Sequence, residues 1–565
     1  MKNCSISFEQ VARYVESVHR IAPNQATGRI NHPISIGSNV MHRTEEATVF
    51  LPFANESYSD FDVPANGAAY RLALAGVREQ LGSHYPLVVG GEPIDTGRTI
   101  ESVNPCRPAE IVGSAAGADA QLAERAIETA WTAFAGWSLR SAEDRARHLV
   151  KLAALMRDRK YELSAWETLE ASKNWLEAEA DVAEAIDFVE YYARQAVQLA
   201  QPIEVVGYPG EENESHLIPI GAGVVIPPWN FPLAILAGMT IGPVAAGNTV
   251  VVKPASTTPI IGARFMQLVE EAGFPPGVIN YLPGAGGEIG DVLVDHPRTR
   301  FVNFTGSKEV GLRIAERSAK VHPGQLWLKR AFMEMGGKDA QIVDETADID
   351  AAARAAVAGA FGFQGQKCSA CSRLIVVDDV YDEVLETVVG HTTELSIGPA
   401  EDNFDVNAVI NGGQQRSILE EIEKGRATAK LVAGGDPVDL EGGFYIRPTV
   451  FAEVEPDARL AQHEIFGPVL SVIRAADFDQ ALRIANSTEY ALTGGLFSSS
   501  RDRIERARRE FHVGNLYLNR KITGALVGVQ PFGGFQMSGS NAKAGGPDYL
   551  RLFMEMKTVA ERWIG

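Results

Sequence analysis

The chain predicts an α/β protein built on doubly wound parallel sheets, and three observations carry that expectation. Short β-branched runs alternate with helical stretches from Gly223 onward: Gly223-Val224-Val225-Ile226, Thr249-Val250-Val251-Val252, Val278-Ile279-Asn280-Tyr281-Leu282 and Phe301-Val302-Asn303-Phe304. These runs are apolar without a period of two, the pattern of strands covered on both faces. A second alternation of the same kind begins after Glu334 and reaches about Leu518. A length of 565 residues leaves room for more than one such core.

In chain order, residues 1–50 stand apart. Phe8 to Val18 reads as a short helix, and Ala22 to Val40 is rich in Pro, Gly, Asn and Ser with little periodicity. This N-terminal extension is expected to add nothing to catalysis. Leu87-Val88-Val89-Gly90-Gly91 reads as strand and turn. Four helices follow, Ala118 to Phe134, Ser141 to Arg157, Lys160 to Lys173 and Leu176 to Leu199, with apolar residues recurring at three and four. Pro202 to Val206 and Ser215 to Pro219 read as a hairpin whose turn holds Pro209-Gly210-Glu211-Glu212-Asn213. A projecting edge hairpin suits subunit pairing. Helices near Pro232–Ala246 and over Pro259 to Ala272 connect the strands that follow.

Composition narrows the function. A formal charge of −20 argues against nucleic acid and against anionic membrane surfaces as partners. Four scattered cysteines make no disulfide framework, so a reducing compartment is expected. No apolar run has membrane-spanning length and no signal-peptide core opens the chain, which makes the cytoplasm the expected location.

The most informative stretch is Phe363-Gln364-Gly365-Gln366-Lys367-Cys368-Ser369-Ala370-Cys371-Ser372-Arg373. Small neighbours leave a substrate room to approach the Cys368 sulfur, and Lys367 and Arg373 are expected to favour its thiolate, the reactive form. Glu334, before Gly336 and Gly337, is a candidate for a separate carboxylate base. Nucleophile and base together suggest covalent catalysis through a thio-adduct. Cys368 and Cys371 also form C-x-x-C, which a redox pair or half a zinc site would use. Cys4 and Cys106 supply no second such spacing, so no metal site is expected and Cys371 reads as a packing thiol.

Gly284-Ala285-Gly286-Gly287-Glu288-Ile289-Gly290 follows a strand and opens a helix as a phosphate loop does, although its spacing is not G-x-G-x-x-G. Lys253 ends a neighbouring strand. Thr305-Gly306-Ser307 ends another where a helix begins, a natural anion site. All three lie at carboxyl ends of strands, where open α/β sheets gather ligands. Asn230, within Trp229-Asn230-Phe231-Pro232, can donate to an oxyanion. Glu464 can accept from sugar hydroxyls, and Phe466 can pack a flat ring.

Taken together, from about residue 51 to the end, these segments resemble the aldehyde dehydrogenase superfamily. Phe363 to Arg373 and the tail Leu518-Asn519-Arg520-Lys521-Ile522-Thr523-Gly524-Ala525 to Phe532-Gly533-Gly534 are similar to the group that oxidises L-glutamate γ-semialdehyde, the open form of 1-pyrroline-5-carboxylate, in proline breakdown. The resemblance implies an aldehyde-dehydrogenase-like fold. Its parts are an NAD(P)-binding domain (51–201 and 220–333), a catalytic domain (334–518), and bridging or oligomerisation elements with a substrate anchor loop (202–219 and 519–565). It implies Cys368 as nucleophile, Glu334 as the base that activates the hydrolytic water, and Asn230 as oxyanion donor. Ile226, Trp229, Lys253, Ser256, Gly286, Phe304, Ser307, Glu464 and Phe466 fall in its cofactor site. Phe231, Ser369, Gly524, Ala525 and Phe532 fall around its substrate. NAD is the implied cofactor; Ser256 stands where many NAD-specific relatives have Glu, so NADP is expected to be tolerated. A homodimer or larger homo-oligomer is implied, with any proline dehydrogenase partner on a separate chain. A dehydrogenase for another small aldehyde or semialdehyde is the alternative.

Overall fold

A computed structural model describes residues 50–563, so the reading of a helix over Phe8 to Val18 lies outside the described residues. Strands β1 (Leu87–Val89), β2 (Glu92–Ile94), β3 (Ala222–Ile226), β4 (Thr249–Val252), β5 (Ile279–Tyr281), β6 (Phe301–Thr305) and β7 (Arg330–Glu334) form one sheet in the order β7-β6-β3-β4-β5-β1-β2. Strands β3 to β7 run parallel, and β1 and β2 join antiparallel at one edge. Every residue of β4 is buried, as its unbroken Thr-Val-Val-Val run requires. All residues of the crossover helix Ala234–Ala245 but Ile235 are buried, which explains why it carries no polar face.

A second sheet holds β8 (Asp339–Val343), β9 (Cys371–Val377), β10 (Lys430–Ala433), β11 (Thr449–Ala452), β12 (Val469–Ala475), β13 (Thr493–Phe497) and β14 (Asn515–Leu518) in the order β10-β11-β12-β9-β8-β13-β14. Only β10 is antiparallel to its neighbour. Each sheet has its own apolar clusters, so two cores stand behind one chain.

Capping side chains set the helix limits. One helix begins at Ala120 rather than Ala118 because Asp119 accepts from the Leu122 N–H at 2.9 Å. Ser141 and Asn174 start the helices Ala142–Asp158 and Trp175–Leu199 in the same way. The helix Lys160–Ala171 stops two residues early because Ser172 turns left-handed, with φ 57°. That turn sends Lys173 inward.

The expected hairpin of residues 202–219 is not what forms. Only a single bridge, Ile203 to Ser215, links its two arms. Strand Glu211–Pro219 pairs instead with the C-terminal strand Met554–Arg562, antiparallel from Pro219 opposite Met554 to Glu211 opposite Arg562. Local turn chemistry suggested the nearest partner; the actual one lies more than three hundred residues away in sequence. Among the described residues, no helix is long and apolar enough to cross a membrane.

Candidate active site

The chain passes from the first sheet to the second between β7 and β8, through Met335-Gly336-Gly337-Lys338. The parallel register sets Ile226 beside Phe304 and Thr305 beside Glu334, so three strands end together where the crossing begins. The second sheet starts at Asp339, paired with Cys371 on β9. The candidate base therefore ends one sheet and the candidate nucleophile precedes a central strand of the other. The glycines make this close crossing possible. A Cβ at Gly336 would overlap the Glu464 carboxylate, and one at Gly337 would overlap the Cys368 carbonyl.

The nucleophile loop is held in an unusual backbone. Phe363 (φ 50°), Gln364 (φ 55°) and Gly365 (φ 67°) are all left-handed, and both non-glycine residues are buried. Such conformations persist where surrounding structure enforces them. Asn230 Nδ2 donates to the Gln366 carbonyl at 3.0 Å, and Gln366 Oε1 accepts from the Ile410 N–H at 2.9 Å. The Asn230 carboxamide is thus tied two residues from Cys368 and keeps a second N–H for another acceptor. Substituting Asn230 by alanine removes donor and brace together; kcat is expected to fall about 10²–10³-fold in steady-state assays.

The electrostatics overturn one expectation. Lys367 and Arg373 do not favour the Cys368 thiolate. Lys367 Nζ is bound to both carboxylate oxygens of Glu177 at 2.6 Å, and Arg373 spends its guanidinium on the carbonyls of Lys338, Ile484 and Ala485. Burial pushes the Cys368 thiol well above its usual range, and the nearby Asp339, Glu334 and Glu464 charges push the same way. Glu334 is also raised well above an ordinary carboxylate by burial, against a smaller opposing effect of the Gly534 N–H and Lys543. A carboxyl raised in this manner binds a proton more tightly than an exposed one, which makes it a stronger base once deprotonated. Cys371 is fully buried in an apolar cluster, and burial lifts it to about 12, as befits a packing thiol. Both cysteines are free. Among the described residues, no cluster of three or more His, Cys, Asp or Glu side chains could hold a metal ion.

Several nucleotide-site candidates converge. Lys253 is buried, its Nζ bonds the adjacent Pro254 carbonyl at 3.0 Å, and burial lowers it to about 8. A Cβ placed on Gly286 would come within 3.9 Å of its chain. Ser256 Oγ reaches the Gly284 carbonyl at 3.4 Å. The loop Gly286–Gly290 is a single π-turn leading into a short helix, a form often found at functional sites. Ser307 caps the helix Lys308–Ala319. The Phe304 ring is buried against Gly306 and Gly311, at the end of β6. Trp229 and Phe466 meet edge-on at 5.5 Å, and Ile226 ends its strand. Glu464 accepts from the Gly337 N–H at 3.0 Å and is raised to about 7 by burial.

Two of the substrate candidates lie at the nucleophile loop. Ser369 is its buried neighbour, and Phe231 meets Phe363 at 6.4 Å. Gly524 has φ 78°, and among the described residues neither its N–H nor that of Ala525 is engaged by another protein group. Phe532 is fixed by paired backbone bonds with Ala544 at 2.9 Å, one residue before Gly533, which lies against Glu334. The sequence reading missed the braces. Arg520 donates to the carbonyls of Thr523 and Gly524, and Gln530 accepts from the Leu526 N–H at 3.0 Å. It also missed Glu177, Asp181 and Glu184, whose spacing of four and three on one helix places them on a single face. Acidic residues on a helix ordinarily mark the solvent side; here Glu177 and Asp181 bind Lys367 and Lys173.

The profile of the Aldehyde dehydrogenase family matches residues 94–559. The 1-pyrroline-5-carboxylate dehydrogenase of Geobacillus kaustophilus is 56% identical over 511 residues, which is 90% of this chain and 99% of that protein. A solved 1-pyrroline-5-carboxylate dehydrogenase from Thermus, with bound NAD, superposes with a TM-score of 0.90 at 58% identity, covering 91% of this chain and all of that one. Proline utilization A from Bdellovibrio bacteriovorus is 46% identical with a TM-score of 0.89, matching 90% of this chain but 53% of that longer one. The architecture, the paired Cys368 and Glu334, and these likenesses agree: the chain belongs to the aldehyde dehydrogenase family.

Proposed function

We propose that this protein oxidises L-glutamate γ-semialdehyde, the open form of 1-pyrroline-5-carboxylate, to L-glutamate with NAD as acceptor. The observation that carries the substrate assignment is the 520–534 loop. It presents two unengaged backbone N–H groups at Gly524 and Ala525, fit for a carboxylate, on a turn braced by Arg520. Phe231 and Phe532 supply apolar walls for the aliphatic chain. Glu184 is half-buried and raised to about 8, mainly by burial. An ammonium group beside it would restore its charge, which suits the α-amino end of the substrate.

The donor set fits a dinucleotide. Lys253 can bond ribose or phosphate oxygens, Gly286 leaves a cradle that a side chain would fill, and Ser256 and Glu464 offer partners for sugar hydroxyls. When bound, the nicotinamide supplies a hydride acceptor. The residues of this chain do the rest. Cys368 gives its proton to solvent water and the thiolate sulfur adds to the aldehyde carbon, giving a thiohemiacetal oxyanion. Asn230 and the Cys368 backbone N–H hold the resulting oxyanion. Loss of hydride leaves a thioester on Cys368. Glu334 takes a proton from water, whose oxygen attacks the acyl carbon; the sulfur leaves as thiolate and the acid is released.

A panel of aldehydes, with 1-pyrroline-5-carboxylate among them, tests the assignment by NADH absorbance. The expected preference is for the pyrroline by at least about tenfold in kcat/KM over aldehydes lacking the carboxylate. Equal use of uncharged aldehydes would contradict it. Ser256 removes the repulsion a carboxylate would exert on a 2′-phosphate, so NADP is expected to serve as a weaker acceptor. Ser256→Glu is expected to lower kcat/KM for NADP at least about tenfold and to leave that for NAD within about threefold. We further propose a homo-oligomer in solution that pairs through the sheet of Glu211–Pro219 and Met554–Arg562, acting beside a proline-oxidising enzyme on a separate chain.

A further inference from the structure

Lys173 has no place in the chemistry above, yet it lies fully buried beside the site. The left-handed Ser172 turns it inward. Its Nζ binds Asp181, and the Glu167 carboxyl lies 3.0 Å away. The same ammonium sits 4.6 Å from the ring centre of Phe231 and 5.1 Å from that of Phe363. One ring is the proposed substrate wall, and the other belongs to the left-handed segment leading to Cys368. Asp181 also accepts from the Ala234 N–H at 2.7 Å, which anchors the helix that follows Phe231.

Burial disfavours charge on Lys173, but Asp181 and Glu167 outweigh it and hold the ammonium above the usual lysine range. A buried ion group contributes little net stability compared with an apolar replacement. A desolvated cation between two aromatic faces, by contrast, attracts both. The segment it grips is one that needs restraint: Phe363 and Gln364 would relax out of the left-handed region if nothing held them. On the helix Trp175–Leu199, one turn before Asp181, Glu177 holds Lys367, the residue before Cys368. The two contacts flank the loop.

We propose that Lys173 is a positioning residue, a cationic clamp that holds the substrate wall at Phe231 to the nucleophile loop at Phe363. Its kinetic consequence rests on the semialdehyde reading; its effect on loop order does not. In the K173M variant, the amides of residues 362–368 are expected to exchange with deuterium at least about tenfold faster than in the unaltered protein, with those of β3 to β5 unchanged. KM for 1-pyrroline-5-carboxylate is expected to rise about tenfold while KM for NAD stays within about twofold. Unchanged exchange in 362–368 would overturn the proposal, and so would equal acceleration throughout the chain, which marks a merely structural lysine. Should K173M not fold, F363L removes one ring while keeping the ion group, and the same two exchange outcomes decide. Unaltered protein that oxidises no pyrroline refutes the substrate assignment instead, and the exchange result still judges the clamp.

Discussion

Serine in place of Cys368 is expected to lower turnover by at least about 10⁴-fold, with dinucleotide binding unchanged within about twofold. A hydroxyl is a far weaker nucleophile than a thiolate. The two cations nearest Cys368 in sequence are committed elsewhere, Lys367 to Glu177 and Arg373 to three carbonyls. Lys253, Ser256 and Gly286 lie on other strands and loops, so nucleotide affinity should not move. Steady-state assays and fluorescence titration with NADH measure the two effects. Substantial oxidation by the serine variant would exclude Cys368 as the nucleophile.

Glu334→Gln carries the second large effect. The glutamine cannot accept a proton from water, so hydrolysis of the thioester stalls while its formation continues. Multiple-turnover kcat is expected to fall about 10²–10⁴-fold, with a burst of NADH near one per site retained. The pH dependence follows from the two raised groups. Burial lifts both Cys368 and Glu334, and each acts in its deprotonated form, so activity is lost as pH falls through either value and grows toward alkaline pH. In the glutamine variant the kcat profile should lose the step that belongs to the carboxyl.

Much of this arrangement could be read before any fold was seen. The unbroken β-branched runs gave the parallel strands, because strands covered on both faces need no alternation. Cys368 and Glu334 stood out since small residues and glycines surround them. What escaped reading depended on partners distant in sequence. The strand Glu211–Pro219 suggested a local hairpin until Met554–Arg562 took its edge. Lys367 and Arg373 looked like thiol activators because their true acceptors, Glu177 and the carbonyls near Ile484, lie more than one hundred residues away. The inward acidic face of the helix Trp175–Leu199 was invisible for the same reason: residue type reports solvent preference, and only the packed chain reveals that a lysine waits opposite.

The acyl intermediate offers the most direct measurement. The Glu334→Gln variant, mixed with NAD and 1-pyrroline-5-carboxylate and quenched in acid, can be digested and mapped by mass spectrometry. A glutamyl thioester on the peptide carrying Cys368, in step with the NADH burst, is the result this account predicts. NADH formation with that cysteine left unmodified would contradict it.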